Sequence, residues 1–208
     1  MNPATWPHLH RPASAAGRPA LLLLHGTGGN EHDLVGLADR LAPGAALLAP
    51  RGRVSENGAN RFFARLAEGV FDPAEVVART AELADFVVAA SARHGLPRLT
   101  ALGFSNGANV AATLLQIRPD LPVAGAVLLR PMVVLDREAA HGSLTGRRVL
   151  LLNGARDPIV PPDHPARLAA HLRAGGASVE SHLHPHAAHG LAPDDFGFIT
   201  AFLAATAD

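Results

Sequence analysis

The chain contains no cysteine and no tyrosine, and it has a single tryptophan. Without cysteine it forms no disulfides, no thiolate metal sites and no cysteine nucleophile. A chain without cysteine is compatible with any redox compartment, so this absence does not indicate a location. It does mean that any covalent catalysis must use another nucleophile.

An excess of charge of one sign is also missing. Eighteen basic residues balance eighteen acidic ones, and the formal net charge at pH 7 is +0. Such a chain has no net field that would attract nucleic acid or an anionic membrane surface. We therefore expect neither of these partners.

Long hydrophobic runs are absent from the N-terminal segment. Its longest apolar run, at residues 20–24, is far shorter than the core of a secretion signal or a membrane span. The expected location is therefore the cytoplasm.

The length and the apolar content are sufficient for one substantial core. The chain has 208 residues, of which 48% are hydrophobic, and this predicts a single α/β domain over residues 1–208. Residues 1–18 are rich in Pro and Ala and are predicted to be an extended lead-in, with one short strand around residues 6–11.

Beyond the lead-in, apolar runs alternate with segments of helical periodicity. Strands are predicted at 19–24, 45–49, 99–102, 123–129, 147–152 and 178–183, and helices at 31–41, 73–94, 163–174 and 193–204, with one more following residue 105. Residues 50–72 are predicted to be a long irregular excursion. This alternation predicts a mostly parallel sheet with helices on both faces.

The most informative motif is the Gly-x-Ser-x-Gly turn of residues 103–107, between a predicted strand and a predicted helix. A serine hydroxyl is a weak nucleophile at pH 7, so it must be exposed, beside a base and near backbone donors. A tight strand-to-helix turn exposes Ser105, and Gly103 and Gly107 relieve the crowding on either side. The alternative is a purely structural turn.

A serine nucleophile on such a turn requires an acid and then a base later in the chain, each beyond the end of a strand. Asp157 follows one strand and is the predicted acid, with an ordinary Asp-Pro turn as the alternative and Asp136 as its substitute. His189 lies last in the loop after the final strand, where the chain has slack to fold back, and we prefer it to His186 as the base.

Two other histidine groups have competing interpretations. His182, His184 and His186 alternate along a strand and could face one side as metal ligands. Pro185 interrupts that strand and no acidic partner is close in sequence, so no metal is expected. His25 precedes a glycine-rich loop, and we expect it to support that loop through hydrogen bonds rather than act in catalysis.

The glycine-rich loop at residues 25–31 follows the first buried strand. It fits neither of the two nucleotide-binding glycine motifs, so phosphate binding is disfavoured. In hydrolases with a Gly-x-Ser-x-Gly turn, this loop supplies one amide of the oxyanion hole, and we assign that amide to Thr27.

Four residues are predicted to line a substrate pocket. Arg61, Phe62 and Phe63 lie in the irregular excursion and could form the mouth of a pocket, although the two phenylalanines could instead anchor the loop to the core. Met132 lies just beyond the strand at 123–129 and completes the group.

Taken together, the motifs at residues 25–29, 103–108, 154–161 and 189–190 resemble those of the phospholipase/carboxylesterase family of α/β-hydrolases. The resemblance covers about residues 20–205 and is greatest to small bacterial carboxylesterases named for hydroquinone or quinone resistance. It implies an α/β-hydrolase fold, and no insertion is long enough for a separate cap domain. The family usually has Gly-His where this chain has Ala188-His189.

By this resemblance Ser105, Asp157 and His189 form the triad, and the amides of Thr27 and Asn106 form the oxyanion hole. The implied activity is hydrolysis of short-chain or aryl carboxylic esters through an acyl-enzyme, without a cofactor. Dienelactone hydrolases share the fold but use cysteine, so their activity is disfavoured here. Family members often form homodimers. The alternatives are a thioesterase, a carbon-carbon hydrolase of ring-derived products, or a non-catalytic binding module.

Overall fold

The computed structural model describes residues 6–15 and 17–205, so residues 1–5 and 16 of the predicted lead-in lie outside it. The strands are β1 (His8–Arg11), β2 (Ala20–Leu24), β3 (Leu47–Pro50), β4 (Val54–Glu56), β5 (Ala59–Arg61), β6 (Leu99–Phe104), β7 (Val123–Leu129), β8 (Arg148–Gly154) and β9 (Ser178–His184). The helices are α1 (Val35–Leu41), α2 (Pro73–His94), α3 (Asn106–Ile117), α4 (His164–Ala174) and α5 (Pro193–Ala204).

Seven of these strands form the central sheet, in the order β1-β3-β2-β6-β7-β8-β9. All neighbours are parallel except β1, which runs antiparallel to β3. The register of β2 against β6 runs from Ala20 opposite Leu99 to Leu24 opposite Gly103. The loop after β2 and the serine turn after β6 therefore begin side by side at the carboxyl edge of the sheet.

Both faces of the sheet are buried under helices, and successive side chains of a strand point to opposite faces. In β2, Leu22 and Leu24 pack in the core under α2, α3 and α4, whereas Leu21 and Leu23 pack in the core under α1 and α5. This arrangement confirms the predicted α/β class, with a mostly parallel sheet and helices on both faces.

Helix α2 illustrates how local sequence fixes the elements. It begins at Pro73 and ends at His94, as predicted. The side chain of Asp72 accepts a hydrogen bond from the amide of Ala74, and Gly95 ends the helix in the left-handed region at φ 64°. Residues 130–147 connect β7 to β8 without any helix or strand. Within the described residues no separate cap covers the carboxyl edge.

The structure differs from the prediction in two places. The helix expected over residues 31–41 begins at Val35, because the side chain of Asn30 accepts from the amide of His32 at 2.9 Å and stabilises a turn instead. The excursion at 50–72 is less irregular than expected, because it contains the hairpin of β4 and β5. Asn57 and Gly58 form its turn, both with positive φ.

Two stacked histidines join β1 to α2. The rings of His10 and His94 lie 3.7 Å apart between centroids, and the Nε2 atom of each is buried without a hydrogen-bond partner among the described residues. Burial lowers the pKa of both imidazoles. The charge of His8 lowers the pKa of His10 further, and the charges of His10, His8 and Arg93 lower that of His94 further. The stack therefore favours the neutral form of both rings.

This stack predicts a loss of stability in acid. Above their ordinary pKa of about 6.5 both rings are neutral in the folded and unfolded chains. Below it, the unfolded chain binds protons at these sites more readily, so the free energy of unfolding falls. We expect Tm to fall between about pH 7.5 and pH 5.5, and to fall less in His94→Gln. His141→Gln, in an exposed turn, should behave as the wild type. Equal losses in all three proteins would contradict this prediction.

Candidate active site

Ser105 occupies a tight turn between β6 and α3. Its backbone has φ 52° and ψ −115°, a sparsely populated combination for a residue with a side chain. A 2.8 Å hydrogen bond from the Ser105 amide to the carbonyl oxygen of Leu129 attaches the turn to the neighbouring strand β7. A Cβ atom on Gly107 would lie 1.9 Å from the carbonyl oxygen of Leu24, so only glycine fits there. Ser105 is half-buried at the carboxyl edge of the sheet.

The imidazole of His189 lies between Ser105 and Asp157. Its Nε2 atom is 2.9 Å from the Oγ of Ser105, and its Nδ1 atom is 2.7 Å from the Oδ2 of Asp157. If Nδ1 carries the proton that Asp157 accepts, Nε2 has a lone pair directed at the hydroxyl. The three residues that the sequence proposes as nucleophile, base and acid are therefore within hydrogen-bonding distance in the order required for proton transfer.

The carboxylate of Asp157 is held on both oxygens. Its side chain is 1% exposed, and its Oδ1 accepts from the amides of Ile159 at 2.8 Å and Val160 at 3.2 Å. The other oxygen is left for His189. These amides fix the position of the carboxylate, which in turn orients the imidazole.

The substitute acid lies elsewhere. Asp136 is on the surface, where its Oδ2 accepts from Arg167 at 2.8 Å and its Oδ1 lies 3.3 Å from the ring of His171. The alternative base, His186, is exposed in the loop after β9. Neither of these alternatives contacts Ser105.

The histidines at the end of β9 do not converge on one point. His182 pairs with Glu180 at 2.7 Å, and the Nε2 of His184 lies 3.0 Å from the Oδ1 of Asp195. No group of three metal-ligating side chains is found within residues 6–15 and 17–205.

Thr27 and Asn106 are the two residues that the sequence assigns to the oxyanion hole. Both residues line the same cavity as Ser105. No hydrogen bond from either amide to another group is found in the described part of the chain. Asn106 is the first residue of α3, where the positive end of the helix dipole favours negative charge.

The hairpin of β4 and β5 supports the loop that carries Thr27. The amide of Gly28 donates to the carbonyl of Asn60 at 2.9 Å, and the side-chain amide of Asn60 donates to the carbonyl of Gly29 at 2.8 Å. The Nη1 of Arg61 donates to the Thr27 hydroxyl at 2.7 Å. Burial lowers the pKa of Arg61, and the carboxylate of Glu56 opposes this effect. Asn60 was not identified from the sequence, although its neighbouring Asn-Gly turn is a recognised hairpin signal.

His25 stabilises the same loop through two hydrogen bonds to the main chain. Its Nε2 accepts from the amide of Gly52 at 2.9 Å, which leaves Nδ1 to donate to the carbonyl of Gly26 at 2.7 Å. Burial lowers the pKa of His25, in agreement with a neutral ring that accepts one hydrogen bond and donates the other. These contacts agree with the predicted supporting role.

A small cavity of about 200 Å³ opens at the serine. Its lining comprises Thr27, Arg61, Arg65, Glu68, Phe71, Phe104, Ser105, Asn106, Asn109, Met132, Ile159 and His189.

Arg61 and Met132 therefore lie where the sequence places them. Phe62 and Phe63 do not, because their rings are 4% and 0% exposed and pack in the core under α2. They anchor the excursion, which is the alternative that the sequence left open. Phe71 supplies an aromatic wall instead.

The described residues include no helix long and apolar enough to cross a bilayer.

Comparison with known proteins gives matches over most of the chain. A model of the dienelactone hydrolase family matches residues 8–205. Over 160 residues, 76% of this chain and 79% of the relative, the sequence is 47% identical to a Bacillus subtilis (strain 168) protein named as the hydrolase MhqD.

Solved structures give the same result. The structure of the Bacillus cereus carboxylesterase superposes with a TM-score of 0.90 at 37% identity, covering 99% of this chain and 96% of that one. The carboxylesterase from Mesorhizobium loti superposes with a TM-score of 0.82 at 35% identity, covering 94% and 98%. These matches confirm the predicted α/β-hydrolase fold and the predicted resemblance to carboxylesterases.

Proposed function

Since the chain belongs to the dienelactone hydrolase family and is therefore a hydrolase, we propose that it is a serine carboxylesterase acting on short-chain or aryl carboxylic esters. The observation that carries this proposal is the linked pair of contacts through His189, 2.9 Å to Ser105 and 2.7 Å to Asp157. The lack of cysteine separates this chain from the dienelactone hydrolases that use a thiolate.

In the first step of the proposed reaction, the Oγ of Ser105 attacks the ester carbonyl while the Nε2 of His189 takes the hydroxyl proton. Negative charge develops on the carbonyl oxygen, where the amides of Thr27 and Asn106 stabilise it. Each such donor is worth about 2.7–4 kcal/mol of the barrier. When the tetrahedral intermediate collapses, the ester C–O bond breaks and His189 returns the proton to the leaving alcohol.

The second step removes the acyl group from Ser105. A water molecule loses a proton to His189 as its oxygen attacks the acyl carbon, and the same two amides stabilise the second oxyanion. Collapse then breaks the bond to the Ser105 oxygen, which regains its proton from His189, and the acid is released. Asp157 keeps its charge throughout and stabilises the imidazolium that forms in both steps.

The dimensions of the cavity support small acyl groups. A volume of about 200 Å³, with Met132, Phe104 and Ile159 as apolar walls, suits a short chain or one ring. Arg61, Arg65 and Glu68 also line this cavity, and burying a long alkyl chain against their charged groups would be unfavourable.

We test the proposed function with the purified protein and p-nitrophenyl acetate, butyrate and palmitate, together with aryl acetates and an acetyl thioester. We expect kcat/KM to be greatest for the acetate, the butyrate or an aryl acetate, and at least about tenfold lower for the palmitate, because the cavity excludes most of its methylenes. A preference for palmitate would overturn the assignment of chain length. A preference for the thioester would favour a thioesterase. The cytoplasmic location and the homodimer remain predictions.

A further inference from the structure

A buried arginine lies beside the triad without belonging to it. Arg130 directly follows β7, its side chain is 0% exposed, and its backbone adopts a positive φ of 54°. A charged side chain is rarely buried unless each of its donors is satisfied, and a positive φ is uncommon outside glycine. Burial of the charge and the positive φ of the backbone both raise the free energy of the folded chain. A position that tolerates both indicates that the guanidinium has a specific role.

The guanidinium grips the main chain on both sides of His189. Its Nε lies 3.1 Å from the carbonyl oxygens of both Ala188 and Gly190, and its Nη2 donates to Gly190 at 2.7 Å. Its Nη1 donates to the carbonyl of Leu152 in β8 at 2.9 Å. The loop that carries the imidazole is thereby tied to the centre of the sheet.

Asp195 anchors the guanidinium from the opposite side. Its Oδ2 accepts from Nη2 of Arg130 at 2.7 Å, and its Oδ1 lies 3.3 Å from Nη1. Asp195 is itself 0% exposed, lies in the first turn of α5, and accepts from the amide of Ala192 at 2.6 Å. The ion pair is thus fixed by α5 and leaves every donor of Arg130 occupied.

The sheet topology explains why the loop that carries His189 needs these hydrogen bonds from Arg130. His189 follows β9, which is three strands away from β6 and Ser105 in the sheet. At about 4.8 Å between neighbouring strands, the separation is roughly 14 Å. Residues 185–192 must return across β8 toward the serine, and they contain no helix or strand that would hold them. Arg130 stands at the end of β7, on that return path.

We propose that Arg130 is the positioning residue of the base: by holding the carbonyls of Ala188 and Gly190, it keeps the imidazole of His189 within reach of both Ser105 and Asp157. This inference rests on the proposed function, in which His189 transfers the proton. Arg130 touches no reacting atom, so its effect should appear in kcat and leave KM nearly unchanged.

The test compares two lysine substitutions. Arg130→Lys retains the charge opposite Asp195, but one ammonium group cannot reach both carbonyls around His189. Arg147→Lys is the matched control, because Arg147 also donates to main-chain carbonyls, those of Pro119 and Val123, at the start of β8 and far from the triad. Arg130→Met removes all of the hydrogen bonds from this side chain to the carbonyls around His189.

We measure kcat and KM for p-nitrophenyl acetate, the rate of labelling of Ser105 by a fluorophosphonate, and the low-field NMR signal of the His189 Nδ1 proton. For Arg130→Lys we expect kcat and the labelling rate to fall about 10²-fold, KM to change less than about threefold, and the Nδ1 signal to shift or broaden. Arg130→Met should lose at least as much. Arg147→Lys should keep the wild-type kcat and signal.

Two outcomes would overturn the inference. One is a kcat for Arg130→Lys within about threefold of that for Arg147→Lys, with an unchanged Nδ1 signal. The other is an equal loss in both variants, which would indicate a general effect on folding. A wild-type protein that hydrolyses no ester would refute the proposed function instead. In that case the NMR comparison still decides whether Arg130 positions the imidazole.

Discussion

Replacing Ser105 with alanine is expected to lower kcat for p-nitrophenyl acetate about 10⁶-fold, to a residual rate about 10³–10⁴-fold above the uncatalysed reaction. The substitution removes the only atom that we propose to bond to the acyl group, while the amides of Thr27 and Asn106 and the imidazole of His189 stay in place. Fluorophosphonate labelling should be lost together with the activity. Initial rates and intact-protein mass spectrometry measure the two effects.

The alanine variant should keep the wild-type Tm. The Oγ of Ser105 contacts His189, but the turn is attached to β7 by the bond from the Ser105 amide to the carbonyl of Leu129, which alanine retains. Ser181→Ala, on the exposed side of β9, serves as a control and should leave both rate and labelling unchanged. Undiminished turnover in Ser105→Ala would exclude Ser105 as the nucleophile.

Changing Asp157 to asparagine is expected to lower kcat about 10⁴-fold with little change in structure. The asparagine oxygen can still accept from the amides of Ile159 and Val160, which directs its NH₂ group toward His189. An NH₂ donor there would stabilise the tautomer in which Nδ1 is bare and Nε2 carries the proton. That imidazole could not take the proton from Ser105. Steady-state kinetics and thermal unfolding measure the loss and the retained fold.

Asp136→Asn provides the matched control. Asp136 is the other acid that the sequence offered, and it forms its contacts with Arg167 and His171 at the surface. Because exposed ion pairs contribute little, we expect kcat within about twofold of the wild type and a Tm lowered by no more than a few degrees. A larger loss of activity in Asp136→Asn than in Asp157→Asn would reverse the two roles.

The fold, and the three residues that we propose as the triad, could be identified because their signals are local. Apolar runs that alternate with helical periods specify a parallel sheet, and the glycines at 103 and 107 mark the turn without any knowledge of distant contacts. Chain order then limits the acid and the base to loops after later strands. The end of α2 at Gly95 was predictable for the same reason.

What could not be predicted depends on contacts between distant segments. The sequence left Phe62 and Phe63 equally suited to a pocket or to the core, because aromatic side chains in a loop serve both uses, and only packing decides. Arg130 and Asp195 are 65 positions apart, and neither has a local pattern that would reveal a buried pair. The hairpin was missed although Asn57-Gly58 is a strong turn signal, because its strands are only three residues long.

The positive φ of Ser105 has a consequence for any attempt to improve this protein. Glycine adopts that backbone conformation without strain, so Ser105→Gly should relax the turn at the same time as it removes the proposed nucleophile. Selection for heat resistance that scores only folding would therefore accept glycine at this position and yield an inert protein. Directed evolution of the chain needs an activity screen in every round, since thermal stability favours glycine at position 105 and turnover requires serine there.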